Sequence, residues 1–86
     1  MKLSRVLASS CRQKIIEALA VRPELPITKL VTSIRSTYNE VNRNLVILEK
    51  EGIIVQHYVG QKRLLKLNYE NEKTLALVKA LYILNH

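Results

Sequence analysis

Residues 27–67, ITKLVTSIRSTYNEVNRNLVILEKEGIIVQHYVGQKRLLKL, decide how this chain folds. Thr28 is a good cap for a short helix whose buried stripe is Leu30, Val31 and Ile34. Arg35-Ser36-Thr37 breaks it, and either Ser36 or Thr37 can cap the helix that follows. With Thr37 as the cap, Glu40 falls three residues later and completes a capping box. Val41, Leu45 and Leu48 then recur at i, i+4 and i+7, with Ile47 beside them, so one face of this second helix is apolar. Glu49-Lys50-Glu51-Gly52 closes it, with Gly52 in the left-handed position that ends many helices. Ile53–Val59 and Lys62–Tyr69 are rich in β-branched and other apolar residues and read as strands. Their two-residue Gly60-Gln61 connection suits a type II′ hairpin, in which Ile54 faces Leu67 and Gln56 faces Leu65. One more loop residue would swap every face. The order is helix, turn, helix, β-hairpin.

Working outward, residues 3–20 read as helical, with Cys11, Ile15, Ala18 and Leu19 on one side and Arg12, Lys14 and Glu17 on the other. Leu3 to Leu7 either extend this helix or form a separate turn. Arg22-Pro23-Glu24-Leu25-Pro26 ends it, because each proline removes a backbone donor and restricts the residue before it. Beyond the hairpin, Asn71 can cap a last helix with Leu75, Val78, Leu81 and Tyr82 as a stripe that Leu77 and Leu84 widen. So apolar a terminal helix on a small domain calls for something to cover it.

A chain of 86 residues makes one domain, 1–86, with a core small enough that association would help it. Fourteen Lys and Arg against seven Asp and Glu give a net charge of +7, which favours polyanions, nucleic acid foremost. No window reaches the 18 or so uncharged apolar residues of a membrane span. The start, MKLSRVLASS, has too short and broken an apolar run for a signal peptide. The single cysteine fits a reducing, cytoplasmic setting.

With its stripe turned inward, the helix beginning near Thr37 presents Tyr38, Asn39, Asn42, Arg43 and Val46 outward. Amide side chains can bind adenine edges in a bidentate manner, and Arg can do the same to guanine. Asn39, Asn42 and Arg43 are therefore the candidate base readers, with Thr37 and Tyr38 as base or backbone contacts and Ser36 beside them at the helix start. At the hairpin tip, Gln61, Lys62 and Arg63 can reach a phosphate or the minor groove. Lys29 and Arg35 are candidate phosphate contacts, which add affinity without reading sequence. A polar outer face and edge-strand lysines also have bland uses, in solvation and in protection from aggregation. Catalysis and metal binding find no support: His57 lies in a strand, His86 is terminal, Cys11 sits on an apolar face, and no Cys or His pair has ligand spacing. Gly52 and Gly60 make no phosphate-cradling loop, and no cofactor is expected.

SSCRQKIIEAL, STYNEVNRNLVILEKEGII and the glycine-tipped hairpin ending in LLKLN resemble winged-helix-turn-helix transcriptional regulators, most nearly those of the ArsR type, over residues 10–69. The run Leu48-Glu49-Lys50-Glu51-Gly52-Ile53-Ile54 matches a signature shared by many winged helices, while Asn42-Arg43-Asn44-Leu45 stands where the family typically has Ser-x-His-Leu or similar. The resemblance implies an α+β, mostly α fold: a three-helix core, a two-stranded β-wing and a C-terminal helix. It also implies a recognition helix at 37–51, a wing tip at 60–63 and dimerisation through the terminal helices, with 71–85 as the dimerisation helix and Leu75, Val78, Leu81 and Tyr82 at the interface. Metal-sensing members carry clustered cysteines or histidines, which this sequence lacks; Cys11, if exposed, would be a candidate redox switch. The resulting expectation is a non-enzymatic homodimer that binds double-stranded DNA in a sequence-specific way. The alternatives are a winged-helix protein-interaction module and a sequence-neutral chromatin or RNA binder.

Overall fold

The computed structural model describes residues 9–84, so the question of Leu3–Leu7 and the terminal His86 lie outside it. Helix α1 (Ser10–Val21) leads through a proline-bounded turn to a two-residue strand β1 (Leu25–Pro26) and directly into α2 (Ile27–Ser33). Then follow α3 (Tyr38–Lys50), β2 (Ile54–Val59), β3 (Lys62–Leu67) and α4 (Glu72–Leu84). The sheet is antiparallel in the order β1-β3-β2.

The winged helix-turn-helix arrangement is as expected, except that the sheet has three strands rather than two. Leu25 pairs with Leu65 and Pro26 with Leu64, which covers the inner edge of the hairpin. Pro26 has no N–H to offer a further strand, so its place at the end of an edge strand is chemically cheap. The same residue is the N-cap of α2, with extended backbone and no side-chain cap bond. This corrects the expectation for Thr28, which lies inside the helix. Proline's missing donor costs nothing where helical N–H groups are unpartnered anyway.

Thr37 does cap α3: its Oγ1 accepts from the Glu40 N–H at 3.2 Å. The reciprocal half of a capping box is replaced, because the Glu40 carboxylate accepts from the Ser36 hydroxyl at 3.1 Å. At the other end Gly52 N–H bonds the Glu49 carbonyl and Ile53 N–H reaches back to Leu48, the paired closure of a Schellman motif, with φ +74° at Gly52. The hairpin register has Ile54 opposite Leu67 and Gln56 opposite Leu65, and Gly60 takes φ +63° at the first loop position.

The core joins Ile15, Ile16 and Leu19 of α1, Leu30 of α2, Val41, Leu45 and Leu48 of α3, Ile53, Ile54 and Leu65 around the wing, and Leu77 and Leu81 of α4. Each such side chain contributes about 1.5–3 kcal/mol by leaving water. Asn71 ties the last helix to this core. Its Oδ1 accepts from Lys73 N–H at 2.9 Å as the cap, and its Nδ2 donates to the carbonyls of Glu51 and Gly52 at 3.2 and 3.0 Å. Asn68 Nδ2 adds a second bond to the Gly52 carbonyl at 3.0 Å.

Helix α4 divides its apolar residues differently from the expected stripe. Thr74, Leu77 and Leu81 face the chain's own core and Val78 is partly covered, whereas Leu75, Tyr82, Ile83 and Leu84 are exposed. Leu81, at 3% exposure, belongs to the monomer's interior and is not available to a partner surface. Of the expected stripe, Leu75 and Tyr82 are thus exposed while Leu81 is buried and Val78 partly so, and periodicity does not separate them because all lie on an apolar part of the helix.

Candidate nucleic-acid interface

The apolar stripe of α3 fixes its outer face. Burying Val41, Leu45 and Leu48 leaves Tyr38, Asn39, Arg43 and Val46 exposed, with Asn42 half-buried at the margin toward the wing. Thr37, as cap, holds the start of that face in place. Ser36 is half-buried with its hydroxyl donating to Glu40, so it supports the helix start instead of offering a free hydroxyl outward. Arg35 is exposed and occupies the turn between α2 and α3 with φ 54°, the left-handed region that is uncommon for a residue other than glycine. Lys29 is exposed on α2, on the rim of a cleft of about 520 Å³ that Arg22, Glu24 and Leu25 also line.

The wing tip does not act as a single cluster. Gln61 and Lys62 are exposed at the turn, but Arg63 folds back toward α3. Its Nη1 donates to Asn42 Oδ1 at 2.7 Å and, at a longer 3.4 Å, to Tyr38 Oη. Its Nε donates to Gln56 Oε1 at 2.5 Å, and Gln56 Nε2 donates in turn to Glu49 Oε2 at 2.6 Å. A continuous polar seam thus runs from Glu49 near the end of α3, across the wing, to Asn42 and Tyr38 near its start. Gln56 and Glu49 are not among the candidates that the sequence suggests. A signal for them exists: side chains alternate along a strand, which puts Arg63 on the inward face with Leu65 and Leu67, and Gln56 on the face of Ile54.

Cys11 is buried below the turn, beside Ser36, Glu40 and Asn44. Burial pushes its thiol above the ordinary value, the Glu40 carboxylate pushes the same way, and hydrogen bonding with Ser36 and Asn44 opposes without reversing this. A thiol so held is protonated at neutral pH and a poor nucleophile. Among the described residues no group of three His, Cys, Asp or Glu could hold a metal ion, and no helix is long and apolar enough to cross a membrane.

Neither a family model nor a curated protein sequence matches the chain. Solved structures do. The chain is similar to HlyU from Vibrio cholerae N16961, with a TM-score of 0.81 at 20% identity, covering 95% of this chain and 86% of that one. The transcriptional repressor BigR from Xylella fastidiosa gives 0.79 at 23% identity, over 95% and 81% of the two chains. An ArsR family transcriptional regulator, RHA00566, gives 0.69 at 19% identity, over 96% and 81%. These likenesses show that the chain shares the winged-helix fold of these solved structures.

Proposed function

We propose that the chain is a homodimeric transcriptional regulator of the ArsR type that binds duplex DNA, without catalytic activity and in a reducing cytoplasm. Helix α3 enters the major groove, with Tyr38, Asn39, Asn42 and Arg43 toward the bases. Thr37, Lys29 and Arg35 flank it, and Gln61 and Lys62 lie on the backbone or minor groove. The observation that carries this reading is the pairing of a polar, cation-bearing α3 face with a basic wing tip on the same fold, in a chain of net charge +7. The fold shared with named transcriptional repressors supports it.

The dimer rests on the exposed apolar row of α4, Leu75, Tyr82, Ile83 and Leu84, and on Val21 of α1, 82% exposed. Between the two helices runs a groove of about 250 Å³, lined by Glu17, Ala20, Val21, Val78 and Tyr82, with the buried Ile16 and Leu81 beneath. So much exposed apolar surface on a small domain is the mark of an interface. A two-fold axis there sets two copies of α3 about 34 Å apart, one turn of DNA.

The test is selection from a random duplex pool followed by gel shifts. Arg43→Ala is expected to relax base preference and cost about 1–3 kcal/mol on the selected sequence. Lys62→Ala is expected to weaken all sequences alike and to lower the salt slope by about 0.9 for every phosphate that each protomer no longer neutralises. Retention of a protein partner with no DNA affinity would favour the interaction module, and equal affinity for all sequences the neutral binder.

A further inference from the structure

The polar seam fixes the direction of every hydrogen bond along it. A carboxylate accepts only, so the Gln56 amide must turn its NH₂ to Glu49, and its oxygen therefore faces Arg63. A guanidinium donates only, so the Asn42 amide must turn its oxygen to Arg63, and Tyr38 meets Arg63 with its oxygen as acceptor. What a partner outside meets is the Asn42 NH₂ and the Tyr38 O–H as donors, while each oxygen, already accepting from a cation, keeps only a weakened second acceptor site. Arg43, exposed one residue on, is donor-only.

We infer that Arg63 is a positioning residue that sets base preference through Asn42 and Tyr38, turning this part of the α3 face into an array of donors suited to guanine. The inference rests on the DNA-binding reading above. In the major groove guanine shows two acceptors, N7 and O6, whereas adenine shows an acceptor beside an amino donor. An asparagine free to turn would bind adenine through both its amide atoms. With its oxygen held by a cation at 2.7 Å, Asn42 is fixed in orientation and is a weaker acceptor for adenine's amino group, so that mode is disfavoured in its resting geometry. Arg63, engaged with three side chains, is then not a phosphate contact, in contrast to its neighbour Lys62 at the exposed tip.

The experiment compares wild type, Arg63→Met, Arg63→Lys and Lys62→Met in selection from a random duplex pool and in affinity against salt concentration, with circular dichroism verifying the fold of each. The wild type is expected to select guanine at a position in each half-site, and 7-deazaguanine there should weaken binding by on the order of tenfold. Arg63→Met should let adenine compete at that position while leaving the salt slope unchanged. Arg63→Lys, which lacks the planar fork, should behave like Arg63→Met. Lys62→Met should lower the salt slope and keep the preference. An unchanged preference in Arg63→Met together with a lower salt slope makes Arg63 a phosphate contact and overturns this inference alone. A wild type with no preference at any position overturns the regulator reading and this inference with it.

Discussion

Gly52→Ala tests how α3, the wing and α4 are joined. Gly52 has φ +74°, and a Cβ built there would lie 2.9 Å from Asn71 Nδ2, closer than such atoms are found. The substitution therefore has two costs. Left-handed backbone costs an L-residue about 1–2 kcal/mol. Displacing Asn71 weakens its bonds to the carbonyls of Glu51 and Gly52, at about 1 kcal/mol. The sum is about 2–3 kcal/mol, which in a domain of this size lowers Tm by roughly 8–24 °C. Asn71→Ala alone removes the α4 cap and both donors, at about 2 kcal/mol. In the Asn71→Ala background the displacement cost has already been incurred, so Gly52→Ala should cost only the backbone part. Thermal and urea unfolding of the four proteins in this cycle, followed by circular dichroism, would give a coupling of about 1 kcal/mol. Additivity within about 0.3 kcal/mol would refute the idea that Asn71 is what the methyl group strikes.

Other substitutions follow from individual side chains. Thr37→Ala removes the α3 cap and should cost about 1 kcal/mol in chemical unfolding, whereas Thr28→Ala, at a position that caps nothing, should stay within about 0.5 kcal/mol. Arg35→Gly relieves the left-handed turn and should raise stability by about 0.5–1 kcal/mol while lowering the salt slope of DNA binding, so that Tm and affinity move in opposite directions. Leu75→Glu with Tyr82→Glu should give monomers in sedimentation that melt near the wild-type monomer, while Leu81→Glu should unfold the chain itself, since that side chain is 3% exposed. Cys11, with its pKa raised in the folded state, keeps its proton longer there than in the unfolded chain. Stability is therefore expected to be unaffected below the ordinary thiol pKa of about 8.5 and to fall as pH rises above it, a fall that Cys11→Ala should abolish.

How much of the fold and site is legible in the sequence depends on the distance over which each feature is determined. The α3 stripe, the Thr37 cap, the Gly52 stop, the hairpin register and the Asn71 cap depend on neighbours within a few residues, and periodicity or turn chemistry reveals them. Strand β1 is not legible, because two residues ending in proline carry no alternation and gain strand character only from Leu64 and Leu65. The α2 cap misleads because Thr28 has the better capping chemistry, while the burial of Ile27 draws it into the helix. The turn at Arg35 lacks the glycine that would announce its backbone. Arg63 looks like a tip cation in sequence because its partners Tyr38 and Asn42 lie 25 and 21 residues away.

Pro26 ends β1 and caps α2 with no residue between them, and β1 is bonded to β3. The wing is thus fastened at one side to the start of the helix-turn-helix and at the other, through Arg63 and Gln56, to α3. Such a unit has little internal freedom to lose on docking, which favours tight binding for a given contact area. It also has little ability to adjust. On duplex DNA the bending and groove widening would then fall to the nucleic acid, so that steps never touched by a side chain, through their stiffness alone, would help decide which sequences are held.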